Sequence, residues 1–155
     1  MRVIIAAVGK PRHPALAAAI EDYEARASRY WPLEVREVRE HPARGAGADE
    51  VRSREGERLI AGMPPGAHLV ACDAGGREMT SEEFSDWLQQ QRERGAHDVA
   101  FLIGGAYGLD APLRDRAATR LAFSRWTLPH ELARLVLAEQ LYRAGTIVRG
   151  EPYHK

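Results

Sequence analysis

The sequence contains a single cysteine, Cys72, among its 155 residues. This scarcity excludes an internal disulfide and a cysteine-based metal cluster. The six histidines show no H-x-x-x-H spacing, and the nucleophile motif G-x-S-x-G is absent. A metalloenzyme and a hydrolase with an activated serine therefore have little support, and we expect no bound metal.

Long apolar runs are missing too. No stretch approaches the roughly 20 apolar residues that a membrane-spanning helix needs. The beginning, MRVIIAAVGKPRHP, has no extended apolar core of the kind found in signal peptides. We interpret this beginning as a first strand and expect a cytoplasmic protein.

Net charge is absent as well, because 22 basic residues face 22 acidic ones. Proteins that bind nucleic acids without sequence preference usually carry a basic excess, so the balance argues against that class. A local arginine cluster does exist, and we interpret it as a solvated surface paired with acidic side chains. Its members are Arg114, Arg116, Arg120 and Arg125.

The composition, 45% apolar, is typical of a folded protein, and the length suits one domain over residues 1–155. Strand-like and helix-like segments alternate, which predicts an α/β fold with a mainly parallel sheet flanked by helices. The predicted strands are Val3–Val8, Leu33–Val38, His68–Cys72, Val99–Ile103, a weaker one near Leu121–Phe123 and a last candidate at Thr146–Val148. The predicted helices are Ala15–Tyr30, Asp49–Ala61, one from a capping box at Thr80–Glu83 towards Arg94, a short segment after Pro112, and Pro129–Ala144.

Three of these predicted strands lead into unusual segments. The first is Cys72-Asp73 before two glycines, the second is Gly104-Gly105, and the third runs from Phe123 through Ser124, Arg125, Trp126 and Thr127 to Leu128. Ligands of open α/β sheets collect beyond the carboxyl ends of the strands. Glycine lets backbone groups approach a ligand, although it is also the commonest turn former, so tight turns without a ligand stay possible. Neither glycine segment matches G-x-G-x-x-G or a P-loop, and a nucleoside held by backbone groups fits them better than a phosphate.

The last helix and the tail carry further candidates. Pro129 suits a first helical turn, whose N–H groups are either capped by Thr127 or water, or open to a ligand. The apolar surface of this helix is broad enough to face both a core and a second subunit. Glu139 and Arg143 are four residues apart and predict a surface ion pair, with a contact from Arg143 to a substrate phosphate as the alternative. We expect the polar tail GEPYHK to be disordered.

Taken together, FLIGGAYGLD at 101–110, WTLPHELARLVLAEQLYRA at 126–144 and the PYHK terminus resemble the RlmH family. These are 23S rRNA pseudouridine methyltransferases of the SPOUT superfamily. The resemblance covers nearly the whole chain, including the VIIAAVGK start and the acidic-glycine segment after the third strand. Three residues depart from it: Cys72, where leucine is more frequent, and Ala106-Tyr107, where some members carry Pro-Glu.

The resemblance implies a SPOUT-type sheet with a deep trefoil knot in its C-terminal part, and a homodimer. It implies that S-adenosylmethionine is bound by the three segments named above. The implied reaction is methyl transfer to N3 of a pseudouridine in 23S rRNA within the assembled ribosome. For this reaction His154 or Tyr153 would assist removal of the N3 proton, from the tail of the other subunit, and Arg143 would neutralise a phosphate or the developing charge.

Two rival functions remain open. One is a ribosome-associated assembly factor that keeps the fold without catalysis. The other is a Rossmann-like binder of a small molecule that uses the same glycine turns. Neither rival explains Pro152-Tyr153-His154, which a protein that only binds a ligand does not need.

Overall fold

A computed structural model describes all residues, 1–155. Five strands and five helices alternate along the chain. In order they are β1 (Arg2–Val8), α1 (Pro14–Ala27), β2 (Leu33–Val38), α2 (Ala48–Ala61), β3 (His68–Glu78), α3 (Ser81–Glu93), β4 (Asp98–Ile103), α4 (Ala111–Arg116), β5 (Thr119–Ala122) and α5 (His130–Val148).

The five strands form one sheet in the order β2-β1-β4-β3-β5, and every neighbouring pair is parallel. Residues 3–8 of β1 and 99–103 of β4 are all buried, as expected for inner strands that are covered on both faces. The prediction of a mainly parallel sheet flanked by helices is therefore confirmed. The C-terminal deep trefoil knot stays a prediction.

Two apolar clusters lie on opposite faces of the sheet, since successive residues of a strand point to opposite sides. On one face, Val3 and Ile5 of β1 pack with residues of α1, α3 and α5. On the other face, Ile4 and Ala6 pack with residues of α2 and α4. None of the helices combines the length and the apolar character that crossing a membrane requires.

The predicted strand at Thr146–Val148 is wrong, because these residues form the last turn of α5. The β-branched residues suggested a strand, but Thr146 is buried and its hydroxyl donates to the Arg143 carbonyl, 2.7 Å away, within the helix. Gly145 does not stop the helix either; a side chain there would collide with Tyr30 of the α1–β2 connection. The helix ends instead before Gly150, whose φ of +65° is the left-handed conformation common after helix ends.

Strand β3 is longer than predicted and is interrupted at the Cys72-Asp73 segment. Its pairing with β5 breaks after Cys72 and resumes at Arg77, and both residues face Leu121. The residues 73–76 therefore form an excursion inside the strand. A side chain at Gly76 would lie 2.6 Å from the backbone of Arg120, which keeps this excursion tight against β5.

Candidate active site

A cavity of about 650 Å³ opens beside the carboxyl ends of β4 and β5 and the excursion in β3. All three segments singled out in the sequence contribute to its wall. Of the predicted cofactor-binding residues, the structure brings together Cys72, Asp73, Gly104, Gly105, Phe123, Ser124, Trp126, Thr127 and Leu128. Arg125 is the exception: its side chain is 88% exposed and its Nε lies 3.3 Å from Glu78 Oε2, away from the cavity wall.

The glycine turn after β4 is folded back on itself. The Gly108 N–H donates to the Gly105 carbonyl at 3.0 Å, and Gly108 has a φ of +77° that favours glycine. A Cβ atom at Gly104 would lie 2.5 Å from the Gly108 carbonyl carbon. The turn thus brings bare backbone to the cavity wall and leaves no room for a side chain at Gly104.

Asp73 contributes a carboxylate whose charge is already balanced. Its oxygens lie 2.7 Å from a guanidinium nitrogen of Arg120 and 3.6 Å from one of Arg114. Together with the pair of Arg125 and Glu78, these contacts confirm that arginines of the cluster are paired with acidic side chains. The cavity therefore has no uncompensated acidic group at Asp73.

Cys72 lies at the start of the excursion and faces the cavity. Burial, with a smaller contribution from the neighbouring Asp73 charge, raises the pKa of its thiol well above the ordinary value. The thiol therefore stays protonated near neutral pH and serves as a small apolar part of the wall, because the thiolate is the nucleophilic form.

Helix α5 begins at the cavity without a side-chain cap. Pro129 is the N-cap residue rather than part of the first turn, and Thr127 makes no capping hydrogen bond to the helix. Ser124 instead stabilises the preceding loop, since its hydroxyl donates to the Trp126 carbonyl at 2.9 Å and accepts the Trp126 N–H at 3.1 Å. This loop holds the Trp126 ring 82% exposed at the cavity.

The C-terminal tail is ordered against the protein, so the expectation of a disordered end is wrong. The Tyr153 ring packs on Tyr142, with centroids 4.5 Å apart, and its hydroxyl donates to Glu139 Oε1 at 3.0 Å. His154 Nε2 lies 2.9 Å from Glu82 Oε1 on α3. An aromatic ring and two carboxylates hold the tail, which a polar composition alone does not reveal.

Arg143 joins this tail cluster. Its Nε donates to Glu139 Oε1 at 3.0 Å, which confirms the predicted ion pair, and one terminal nitrogen lies 3.3 Å from His154 Nδ1.

Burial, followed by hydrogen bonds with Tyr23 and Glu139, raises the pKa of Tyr153 above its ordinary value. The Tyr153 phenol is therefore protonated near neutral pH and is a hydrogen-bond donor in this arrangement.

The tail cluster and the cavity are separate within one chain. None of Arg143, Tyr153 and His154 lines the cavity. The axis of α5 rises about 20 Å between His130, at the cavity, and Arg143, at about 1.5 Å per residue. The structure thus brings together nine predicted cofactor residues in one place and the three predicted catalytic residues in another.

Sequence reasoning missed several residues of the cavity wall. His130 and Ala133 line it from the first turn of α5, and Tyr107 lines it from the glycine turn. The sequence pattern that could have indicated His130 is its position directly after Pro129, where the last helix is predicted to begin. No group of three or more histidine, cysteine, aspartate or glutamate side chains is arranged to hold a metal ion.

Comparison with known proteins identifies the family. A family model described as "Predicted SPOUT methyltransferase" matches residues 1–154. This chain belongs to the SPOUT methyltransferase family. The match spans the whole sheet, the cavity segments and the tail, and the resemblance noted in the sequence is thereby confirmed.

Relatives within the SPOUT family align along the entire chain. A protein of Gemmatimonas aurantiaca named "Ribosomal RNA large subunit methyltransferase H" is 61% identical over 155 residues, which is 100% of both chains. A protein of the same name from an Anaeromyxobacter species is 48% identical over 155 residues, again 100% of both. The prediction of a methyltransferase is confirmed by the family and by these relatives.

Solved structures of more distant proteins share the fold. A probable methylase family protein of Haemophilus influenzae superposes with a TM-score of 0.54 at 13% identity, over 99% of this chain and 70% of that one. A probable methyltransferase of Bordetella pertussis gives a TM-score of 0.52 at 17% identity, over 93% of this chain and 94% of that one. At these identities the likeness concerns the fold alone.

Proposed function

We propose that this chain is an S-adenosylmethionine-dependent methyltransferase that acts on N3 of a pseudouridine in large-subunit ribosomal RNA, in the cytoplasm and on the assembled ribosome. The observation that carries the proposal is the cavity built from three strand-end segments, in a chain aligned over its full length with relatives named as ribosomal RNA methyltransferases.

The residues of the cavity fit an adenosyl group. The volume of the cavity, about 650 Å³, lies in the range of pockets for cofactor-sized ligands. Apolar groups at Cys72, Phe123 and Leu128 offer surfaces for a flat purine, and the bare backbone at Gly104-Gly105 offers N–H and C=O groups for its polar edge. The Asp73 carboxylate lines the cavity while it is paired with Arg120. These residues would hold the cofactor, together with Ser124, Trp126 and Thr127.

When bound, S-adenosylmethionine supplies an electrophilic methyl group. This methyl group would pass from sulfur to N3 of the base, whose proton would have to leave to a group of the protein or to water. The protein's contribution is to hold the base against the donor and to receive or guide this proton. His154 is the candidate acceptor, and Tyr153, a hydrogen-bond donor in this structure, is suited to orienting the base.

A second copy of the chain completes the proposed site. The separation of the tail cluster from the cavity within one protomer supports a dimer in which the tail of one chain faces the cavity of the other. The exposed Trp126 ring at the cavity and the broad apolar surface of α5 suit such a contact. A native mass of twice 17.2 kDa is the expected result for this dimer.

Binding of the reaction product tests the cofactor assignment. S-adenosylhomocysteine at about 100 times its dissociation constant is expected to stabilise the fold by about 2.7 kcal/mol, because a ligand that binds only the native state shifts the unfolding equilibrium. The measurement is the thermal midpoint with and without the product, with NAD as the control ligand. An equal shift by NAD favours a general dinucleotide binder, and no shift by either favours an assembly factor without catalysis.

Substitutions in the tail cluster test the catalytic assignment. His154→Ala, Tyr153→Phe and Arg143→Ala are each expected to lower methyl transfer to ribosomes, by about 10²-fold or more for a group that moves the proton. Transfer of radioactive methyl groups to ribosomes measures the rates, and Lys155→Ala, in the same tail and exposed, is the matched control. Near-wild-type turnover in all three variants would discard the assignment.

A further inference from the structure

Glu55 is a carboxyl side chain in the middle of an apolar stripe. The inward face of α2 places Val51, Glu55 and Leu59 one turn apart, and all three are buried. Glu55 is only 3% exposed. Acidic side chains are rarely buried this far unless their oxygens are paired, so this position calls for a physical reason.

One oxygen of Glu55 has a partner and the other has none. Oε1 accepts the backbone N–H of His41 at 3.0 Å, which ties the segment after β2 to α2. Oε2 is buried without any hydrogen-bond partner. It points at the glycine turn: a Cβ atom at Gly105 would lie 2.7 Å from Oε2 and 3.1 Å from Val8 Cγ1. The α-hydrogen of Gly105 therefore faces this oxygen, on the side of the turn away from the cavity.

The same face of α2 contacts the glycine turn at two further points. A terminal nitrogen of Arg52 donates to the Tyr107 carbonyl at 3.4 Å. A Cβ atom at Gly56 would lie 2.9 Å from Oδ1 of Asp110, the residue that caps α4 by accepting the Leu113 N–H at 3.2 Å. Three consecutive contacts thus place α2 as a support behind the segment from Gly105 to Asp110.

We propose that Glu55 is a positioning residue for the cofactor cavity, an inference that rests on the proposed function. Its flat carboxyl group fits between the His41 backbone and Gly105, and it holds the glycine turn at the distance from β1 at which the turn forms the cavity wall. Glu55 does not itself line the cavity. It acts through Gly105, and a thicker or apolar head group in its place displaces the turn.

Two substitutions separate positioning from stability. Glu55→Leu removes the unpaired buried oxygen and continues the apolar stripe, which offsets much of the cost of leaving the His41 N–H without its acceptor, so the thermal midpoint is expected to fall by no more than about 4 °C. Its branched head has no acceptor for the His41 N–H and no room beside Gly105. The dissociation constant for S-adenosylhomocysteine is therefore expected to rise about tenfold or more. Glu55→Gln keeps an acceptor and the flat shape, and is expected to bind within about threefold of the wild type.

Calorimetric titration with S-adenosylhomocysteine and a thermal scan of each variant are the measurements, and Glu57→Gln, exposed on the same helix, is the control. Weakened binding by Glu55→Leu at a retained midpoint, with recovery in Glu55→Gln, supports the proposal. Wild-type binding by Glu55→Leu overturns it. Binding by Glu55→Gln that is as weak as binding by Glu55→Leu also overturns it, and so does loss of folding in both variants. If Glu55→Leu alone fails to fold, Glu55→Asp takes its place, because the shorter side chain of aspartate cannot reach both contacts. A raised dissociation constant in Glu55→Asp, with wild-type-like binding by Glu55→Gln, then supports the proposal. Unchanged binding in Glu55→Asp overturns it. If the wild type itself does not bind the product, the proposed function fails instead.

Discussion

Gly104→Ala is expected to weaken binding of S-adenosylhomocysteine by roughly a hundredfold, because small displacements of groups that position a ligand have effects of this size. The added methyl group would lie 2.5 Å from the carbonyl carbon of Gly108 and 2.8 Å from the N atom of Leu109. Gly104 does not have a positive φ, so alanine is compatible with its backbone conformation and the collision alone opens the turn. Calorimetric titration measures the loss.

Gly47→Ala is the matched control for this variant. Gly47 precedes α2, has a φ of −76°, and has no atom within 4 Å of the position that a Cβ would take. Its substitution is expected to leave the affinity close to that of the wild type and to lower the thermal midpoint by no more than about 4 °C, because alanine is a poorer N-cap residue than glycine. Unchanged affinity in Gly104→Ala would show that the glycine turn does not form the binding surface.

Arg134→Ala is expected to lower the free energy of unfolding by about 3–5 kcal/mol, the usual cost of removing one partner from a buried ionic network. The Arg134 side chain is 6% exposed; its Nε lies 2.7 Å from Glu24 Oε1, and one terminal nitrogen lies 2.8 Å from Glu37 Oε1. The substitution leaves two mostly buried carboxylates without their cation. Denaturation with urea measures the loss, which is a large part of the stability of an ordinary domain.

Arg26→Ala is the control for the ionic network. Arg26 pairs with Asp22 at 3.0 Å on the surface of α1, with both side chains well exposed, and such pairs contribute about 1 kcal/mol or less. Similar losses of stability in the two variants would contradict a special role for Arg134.

The sheet and the location of the cavity could be predicted from the sequence because each depends on local patterns. Continuous apolar runs such as Val3–Val8 indicate parallel strands buried on both faces, and glycine pairs after strands indicate where backbone can approach a ligand. The capping box also formed as predicted, with the Thr80 hydroxyl accepting the Glu83 N–H at 3.1 Å. These features need no knowledge of distant contacts.

The remaining features depend on partners far along the chain. Thr146–Val148 has the composition of a strand, but α5 continues through it because the helix packs against α1. The order of the tail comes from Glu82 and Tyr142. The burial of Glu55 comes from the glycine turn about 50 residues later. Sequence spacing carries no record of these contacts.

Methylation of ribosomes by the purified protein tests the central claim most directly. Assembled ribosomes from cells that lack this protein are incubated with the wild type and S-adenosylmethionine, and the ribosomal RNA is digested and analysed by mass spectrometry. The account predicts one added methyl group on N3 of a pseudouridine in the large-subunit RNA, and much less product with Gly104→Ala. Wild-type protein that binds the donor but transfers no methyl group to that RNA would contradict it.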